Sequence, residues 1–174
     1  GALSISILAI PVITTTTEKN GPKAAIDNLY EGKTVVLCDL EDNANMHVNK
    51  AFKIFQEIGM RIVVMNSHEH DVNACYISHL PHLISFSLAN TVMSHQNPKE
   101  IIALAAGGFK DMSRIAKSSP RMWGDIFKQN RENMLESIKS FEDQMNEAKK
   151  MIEEERYEDL ENWMKKANSL HEIL

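Results

Sequence analysis

The stretch YISHLPHLISFSLAN, Tyr76–Asn90, is apolar over several helical turns, yet it carries a proline in its middle and a histidine on each side of it. Read as a helix, it stands at the head of a section that is helical from Asp71 to the end. Everything before that reads as α/β. Pro81 has no N–H for the carbonyl of Ile77, and its ring presses on that carbonyl, so a kink is expected there. His79 and His82 fall on one helical face. A kink flanked by two imidazoles suits the lining of a polar pocket; two structurally satisfied histidines are the alternative. His68 and His70 lie nearby, but no HExxH-like spacing and no carboxylate set accompanies them, so no metal is expected.

Working back from this stretch, "MRIVVMN" reads as a strand. Before it, Val48, Ala51, Phe52, Phe55 and Ile58 recur at helical spacing, and Gly59 follows as a C-terminal stop. "KTVVLCDL", Lys33–Leu40, is a continuous apolar run of the kind buried on both faces of a sheet. Strand, helix and strand make one βαβ unit with a parallel pair. "SISILAIPV" is a further strand ending at Pro11, and it lacks the basic start of a signal peptide. "TTTTEKNGPKAA" is a polar loop.

Forward of it, Asn97-Pro98-Lys99-Glu100 has the pattern of a helix start, with Asn as N-cap, and that helix is expected to run to Gly107-Gly108. Ser119-Pro120 starts another in the same way. Met134, Ile138, Phe141, Met145, Ala148 and Ile152 then form a heptad-like stripe, fit either for packing within the chain or for a helical dimer. A break near Glu155–Tyr157 precedes a last helix. Lys110 and Arg114, four residues apart, place two cations on one face. An anion between them would relieve their repulsion, and arginine suits a carboxylate; a solvated basic patch is the other reading. With Trp123 and the two histidines they suggest a pocket for a small anionic, ring-bearing ligand.

Composition narrows the rest. The net charge of -5 argues against a nucleic-acid partner. Residues 131–174 hold 7 basic and 12 acidic residues, so the excess lies in the tail. Cys38 and Cys75 lie far apart without metal-ligand spacing, which points to free thiols and a reducing, cytoplasmic setting. No apolar run reaches the roughly 18 residues of a membrane span.

Three segments, GPKAAIDNLYEGKTVVLCD (21–39), EHDVNACYISHLPHLISFSLANTV (69–92) and AAGGFKDMSRIAKSSPRMWGDIFKQN (105–130), closely resemble the prephenate dehydrogenase family. The resemblance implies an α/β plus all-α subunit: a partial Rossmann-like nucleotide-binding domain with parallel strands at 1–70, and a helical substrate-binding and dimerisation domain at 71–174. It implies oxidative decarboxylation of prephenate with NAD, NADP being the alternative, and a homodimer with tyrosine as feedback inhibitor. Arogenate dehydrogenase and a non-catalytic dimerisation and ligand-binding module are the alternative functions. The carried-over site comprises Arg114 gripping a carboxylate, Lys110 close by, His79 and His82 lining the pocket, and Trp123 closing it. Thr17 and Glu18 join that site, and Ala9, Ile10 and Pro11 lie near the cofactor.

The sequence departs from the family in two places. No G-x-G-x-x-G follows a strand. The family's His-Pro-Met, whose histidine takes the substrate's hydroxyl proton, aligns with Val12, Ile13 and Thr14. The expectation is that these residues are a subset of a longer enzyme, the competing one being a short, inactive remnant.

Overall fold

The computed structural model describes the backbone of Leu8–Val12 and all of residues 28–174 except the side chain at position 42. The chain divides into two compact units, Gly1–Asn73 and Ala74–Leu174.

The first unit is built on a three-stranded sheet in the order β1-β2-β3, with β1 at Leu8–Val12, β2 at Thr34–Cys38 and β3 at Arg61–Met65. The continuous apolar run is the central strand: Val35, Leu37 and Cys38 are wholly buried and Val36 nearly so. Strand β3 pairs parallel to β2, with Val35 opposite Ile62 and Leu37 opposite Val64. Helix α1, Asn45–Glu57, connects them, as the βαβ reading expects. Strand β1 runs antiparallel to β2, from Leu8 opposite Cys38 to Val12 opposite Thr34, a direction the sequence did not reveal. Pro11 lies in this outer strand, where a missing N–H can be tolerated.

Alternation along β2 sends Val35 and Leu37 to one face. There they form a core with Met60, against which Leu40, Ala51, Phe52, Phe55 and Ile62 pack. Burying Val35, Leu37 and Met60 stabilises the unit by roughly 1.5–3 kcal/mol each. The end of α1 follows from Gly59. At φ +80°, it lets its N–H reach the Gln56 carbonyl at 3.0 Å while Met60 N–H reaches that of Phe55 at 2.9 Å. This is the paired-bond helix stop that glycine favours, and Met60 lies in the cluster with Phe55.

Helix α2, Ser67–Ala74, begins with a reciprocal cap. Asn66 Oδ1 accepts from Glu69 N–H at 2.8 Å, and Glu69 Oε2 accepts from Asn66 N–H at 3.3 Å. Asp39, in a left-handed conformation just after β2, accepts from Ser67 N–H at 2.8 Å.

The second unit is helical. A π turn, Cys75–His79, leads into α3, Leu80–Met93. Then come α4 (Pro98–Ala103), α5 (Gly107–Ser113), a 3-10 turn (Arg114–Lys117), α6 (Pro120–Gln129), α7 (Arg131–Glu153) and α8 (Tyr157–Asn168). Helix α3 is the hub, touching α4, α5, α7 and the 3-10 turn. Its buried Ser85 donates to the Met112 carbonyl at 2.7 Å, tying α3 to α5.

Two helix boundaries differ from expectation. Helix α4 ends at Ala103, and Gly107-Gly108 open α5 instead of closing α4. Glycine costs little in a first turn whose N–H groups have no helical partner in any case. Asn97 stands at the N-cap of α4, but its side chain makes no capping bond, whereas Ser119 Oγ does accept from Met122 N–H.

The long stripe of α7 splits in two. Met134, Ser137 and Met151 are buried within the unit, while Met145 and Ile152 are each 54% exposed. A period of 3.6 carries the inward face to Met151, one residue short of the heptad position.

Candidate functional site

Pro81 is the second residue of α3, and the π turn lies immediately before it. A turn closed by wider i→i+5 bonds removes the demand for the ordinary bond that proline cannot make. The Ser78 carbonyl accepts from a side chain, His82 Nδ1, at 2.9 Å. That carbonyl is the neighbour of the Ile77 carbonyl for which Pro81 has no N–H.

The imidazole of His82 stacks on the indole of Trp123, with ring centroids 3.6 Å apart and planes at 22°. His79 meets the same indole edge-on at 6.1 Å and 73°. Phe127, one turn further along α6, tilts against Trp123 at 5.7 Å. Trp123 is only 6% exposed, and its Nε1–H is buried without a hydrogen-bond partner among the described residues. A buried donor without an acceptor costs roughly 1–3 kcal/mol, so this N–H is the polar group of the ring cluster with most to gain from one.

Behind His79 lies a second layer. Cys75 Sγ is 3.5 Å from His79 Nδ1, and Asn130 Nδ2 lies 3.2 Å from that sulfur and 3.5 Å from that nitrogen. Asn133 Nδ2 donates to Asn130 Oδ1 at 2.8 Å. Asn130 ends α6 and begins α7, so the corner between these helices delivers its amide to the ring cluster. Cys75 was legible as the i−4 neighbour of His79. Asn130 was not, because no local pattern joins residues 51 apart.

The structure thus brings His79, His82 and Trp123 together, as the sequence suggested. Lys110 and Arg114 have exposed side chains on α5 and the 3-10 turn. No side-chain hydrogen bond or ion pair joins either to another described residue. The turn holding Arg114 packs on α3, the helix that carries His82. Thr17 and Glu18 lie outside the described residues. Ala9, Ile10 and Pro11 are placed only by their backbone, opposite Leu37, Val36 and Val35. Among the described residues no cluster of three His, Cys, Asp or Glu could hold a metal ion. No helix among them is long and apolar enough to cross a membrane.

A short, partly parallel sheet followed by a helical unit that holds two imidazoles against a buried indole defines a two-part α/β-plus-helical protein. Residues 66–166 match the family model described as "Prephenate dehydrogenase, dimerization domain", and residues 4–64 match "Prephenate dehydrogenase, nucleotide-binding domain". The chain belongs to the prephenate dehydrogenase family. It is similar to prephenate dehydrogenase of Bacillus subtilis (strain 168), 29% identical over 159 residues, which is 91% of this chain and 43% of that protein. A crystal structure of prephenate dehydrogenase from Aquifex aeolicus is matched with TM-score 0.85 and 32% identity, over 95% of this chain and 58% of that one. Another, in complex with hydroxyphenyl propionate and NAD+, is matched with TM-score 0.80 and 34% identity, over 87% and 54%. The chain spans less than half the length of the curated relatives it matches.

Proposed function

We propose that this chain supplies the substrate-binding part of a prephenate dehydrogenase, which converts prephenate with NAD to 4-hydroxyphenylpyruvate, carbon dioxide and NADH. The observation that carries the reading is the stacked ring cluster of His82, His79 and Trp123, whose buried Trp123 Nε1–H has no partner among the described residues. It suits an oxygen of a flat, ring-bearing anion lying against the imidazoles. Arg114 grips a substrate carboxylate with Lys110 beside it, His79 and His82 line the pocket with Trp123, and Thr17 and Glu18 are substrate-binding residues by their match to the family's Thr-Glu pair.

The α/β unit, in the division 1–70 and 71–174, belongs to the nucleotide side, with Ala9, Ile10 and Pro11 near the cofactor. NAD supplies the hydride acceptor when bound. The residues present do not make its cradle, because no glycine-rich turn follows a strand in this sequence. The same holds for the family's proton-accepting histidine, whose place falls on Val12. The helical unit forms a homodimer, tyrosine acts as a feedback inhibitor, and the cytoplasm is the compartment.

Calorimetric titration tests this. The chain should bind prephenate, and Arg114→Ala should weaken binding by about 2 kcal/mol, roughly 30-fold, as loss of a charged hydrogen-bonding partner does. Prephenate bound without NAD would match a chain holding the substrate side alone. Unchanged affinity in Arg114→Ala would overturn the placement of the anion.

A further inference from the structure

We infer that Ser85 is a positioning residue: by pinning the end of α5 to α3, it fixes where Arg114 stands relative to His82. This role rests on the substrate site proposed above, to which Arg114 and His82 belong.

The serine is conspicuous where it lies. Helix α3, LPHLISFSLANTVM, is mostly apolar, and Ser85 is one of its two buried residues. A buried hydroxyl is costly unless it is hydrogen-bonded. Within a helix, serine and threonine commonly turn back to a carbonyl of their own preceding turn. Thr91 does so in α3, donating to the Ser87 carbonyl at 2.8 Å, and the buried Ser137 does so in α7, donating to that of Met134 at 3.0 Å. Ser85 does otherwise. Its hydroxyl crosses to the Met112 carbonyl, 27 residues away, at 2.7 Å. A carbonyl only accepts, so the hydroxyl is the donor.

Both ends of this bond lie beside residues of the proposed site. Ser85 follows His82 by one helical turn, on the same side of α3. Met112 lies just before Arg114, where α5 gives way to the 3-10 turn. Carbonyls at the end of an α-helix run short of N–H partners, so a side-chain donor suits this place. Helix α3 packs on both α5 and the turn, but apolar packing is non-directional and leaves one element free to slide along another. A single short hydrogen bond selects one register. Arginine holds a carboxylate through two parallel bonds of narrow geometry. A small displacement of the turn along α3 would therefore spoil the grip while leaving the fold intact. Ser85 acts through Arg114 and needs no contact with the substrate.

The test has two parts. In the first, prephenate is titrated calorimetrically into the unsubstituted chain, Ser85→Ala, Arg114→Ala, the double variant and Ser137→Ala. Alanine suits a helix interior, so Ser85→Ala should fold, and thermal unfolding verifies this. Ser85→Ala should weaken binding by about 5-fold, the order of one net hydrogen bond. In the Arg114→Ala background it should weaken binding no further, because the group it positions is gone. Ser137→Ala removes a buried hydroxyl bonded within its own helix and should leave affinity unchanged. A folded Ser85→Ala chain with full affinity would overturn the inference. So would the same loss persisting in the Arg114→Ala background, since that would be a general loosening.

The second part needs no ligand. Backbone amides of Arg114–Lys117 should exchange hydrogen faster in Ser85→Ala than in the unsubstituted chain or in Ser137→Ala. The two parts keep the failures apart. Unchanged exchange refutes the pin, whatever prephenate does. An unsubstituted chain that binds no prephenate refutes the proposed function, and the part of Ser85 in it with it.

Discussion

The imidazole of His82 lies stacked on the indole of Trp123 while its Nδ1 holds the Ser78 carbonyl at 2.9 Å. One side chain therefore joins α6 to α3 and also bonds a carbonyl of the π turn that precedes α3. Trp123→Ala should destabilise the helical unit by about 3–5 kcal/mol, as large-to-small changes of a buried aromatic do. Trp123→Phe should cost markedly less, because it keeps a ring for His82 and removes an unsatisfied donor. Urea unfolding of the two variants gives the comparison, and equal losses would contradict this account.

Gly59 and Glu155 occupy the same place in two helix ends. Each has positive φ, +80° and +55°, and in each the residue's own N–H and that of the next residue close on carbonyls of the last turn. At the second end the bonds are Glu155 N–H to Ile152 and Arg156 N–H to Met151, at 3.2 and 2.8 Å. Substitutions there should have opposite signs. Gly59→Ala should destabilise by about 1 kcal/mol or more, since its new Cβ would also meet Glu31 Cγ at 3.3 Å. Glu155→Gly should stabilise by about 0.5–1 kcal/mol, by relieving the left-handed strain. Thermal unfolding of each variant is the check.

Burial and the nearby Asp39 and Asp71 carboxylates, burial first, raise the Cys38 thiol above its ordinary value of 9.0. The folded chain therefore holds this proton more tightly than the unfolded chain. The associated stability is complete below the ordinary thiol pKa and is lost as the pH climbs through the raised folded value. Stability measured from neutral pH into the alkaline range should fall, and Cys38→Ala should flatten that decline. An identical slope in both proteins would mean that other groups govern it.

On α7, Met145 and Ile152 form an exposed apolar row, whereas Phe141 is half-buried within the chain's own fold. If the row is the homodimer seam, Met145→Glu should yield monomers in sedimentation with little change in unfolding midpoint. Phe141→Glu, by contrast, should also lower that midpoint. A dimer that survives Met145→Glu would move the seam elsewhere.

Much of this was legible because it is local. The buried run at Lys33–Leu40, the helix stop at Gly59 and the break at Glu155–Tyr157 all depend on residues a few positions apart. So did the pairing of His79 with His82. What escaped the reading depends on distant partners. The direction of β1 is set by its pairing with β2, and the Asn130 amide reaches Cys75 across 55 residues. The proline at 81 was noticed, but not its accommodation, since a π turn has no composition of its own. The glycine pair at 107–108 misled because glycine both ends helices and is cheap in their first turn.

That π turn has a consequence for inheritance. A wide turn contains one residue more than the ordinary turn it replaces. Deleting a single codon among positions 75–79 would let the helix close again with regular bonds. Every later side chain of α3 would then be rotated by about 100° relative to the residues before the deletion. The helix would survive and the composition would barely change, but the imidazole at 82 would no longer meet the indole. What maintains the ring cluster is therefore a count as much as a set of residue types, and a change in reading length would erase it where many substitutions would not.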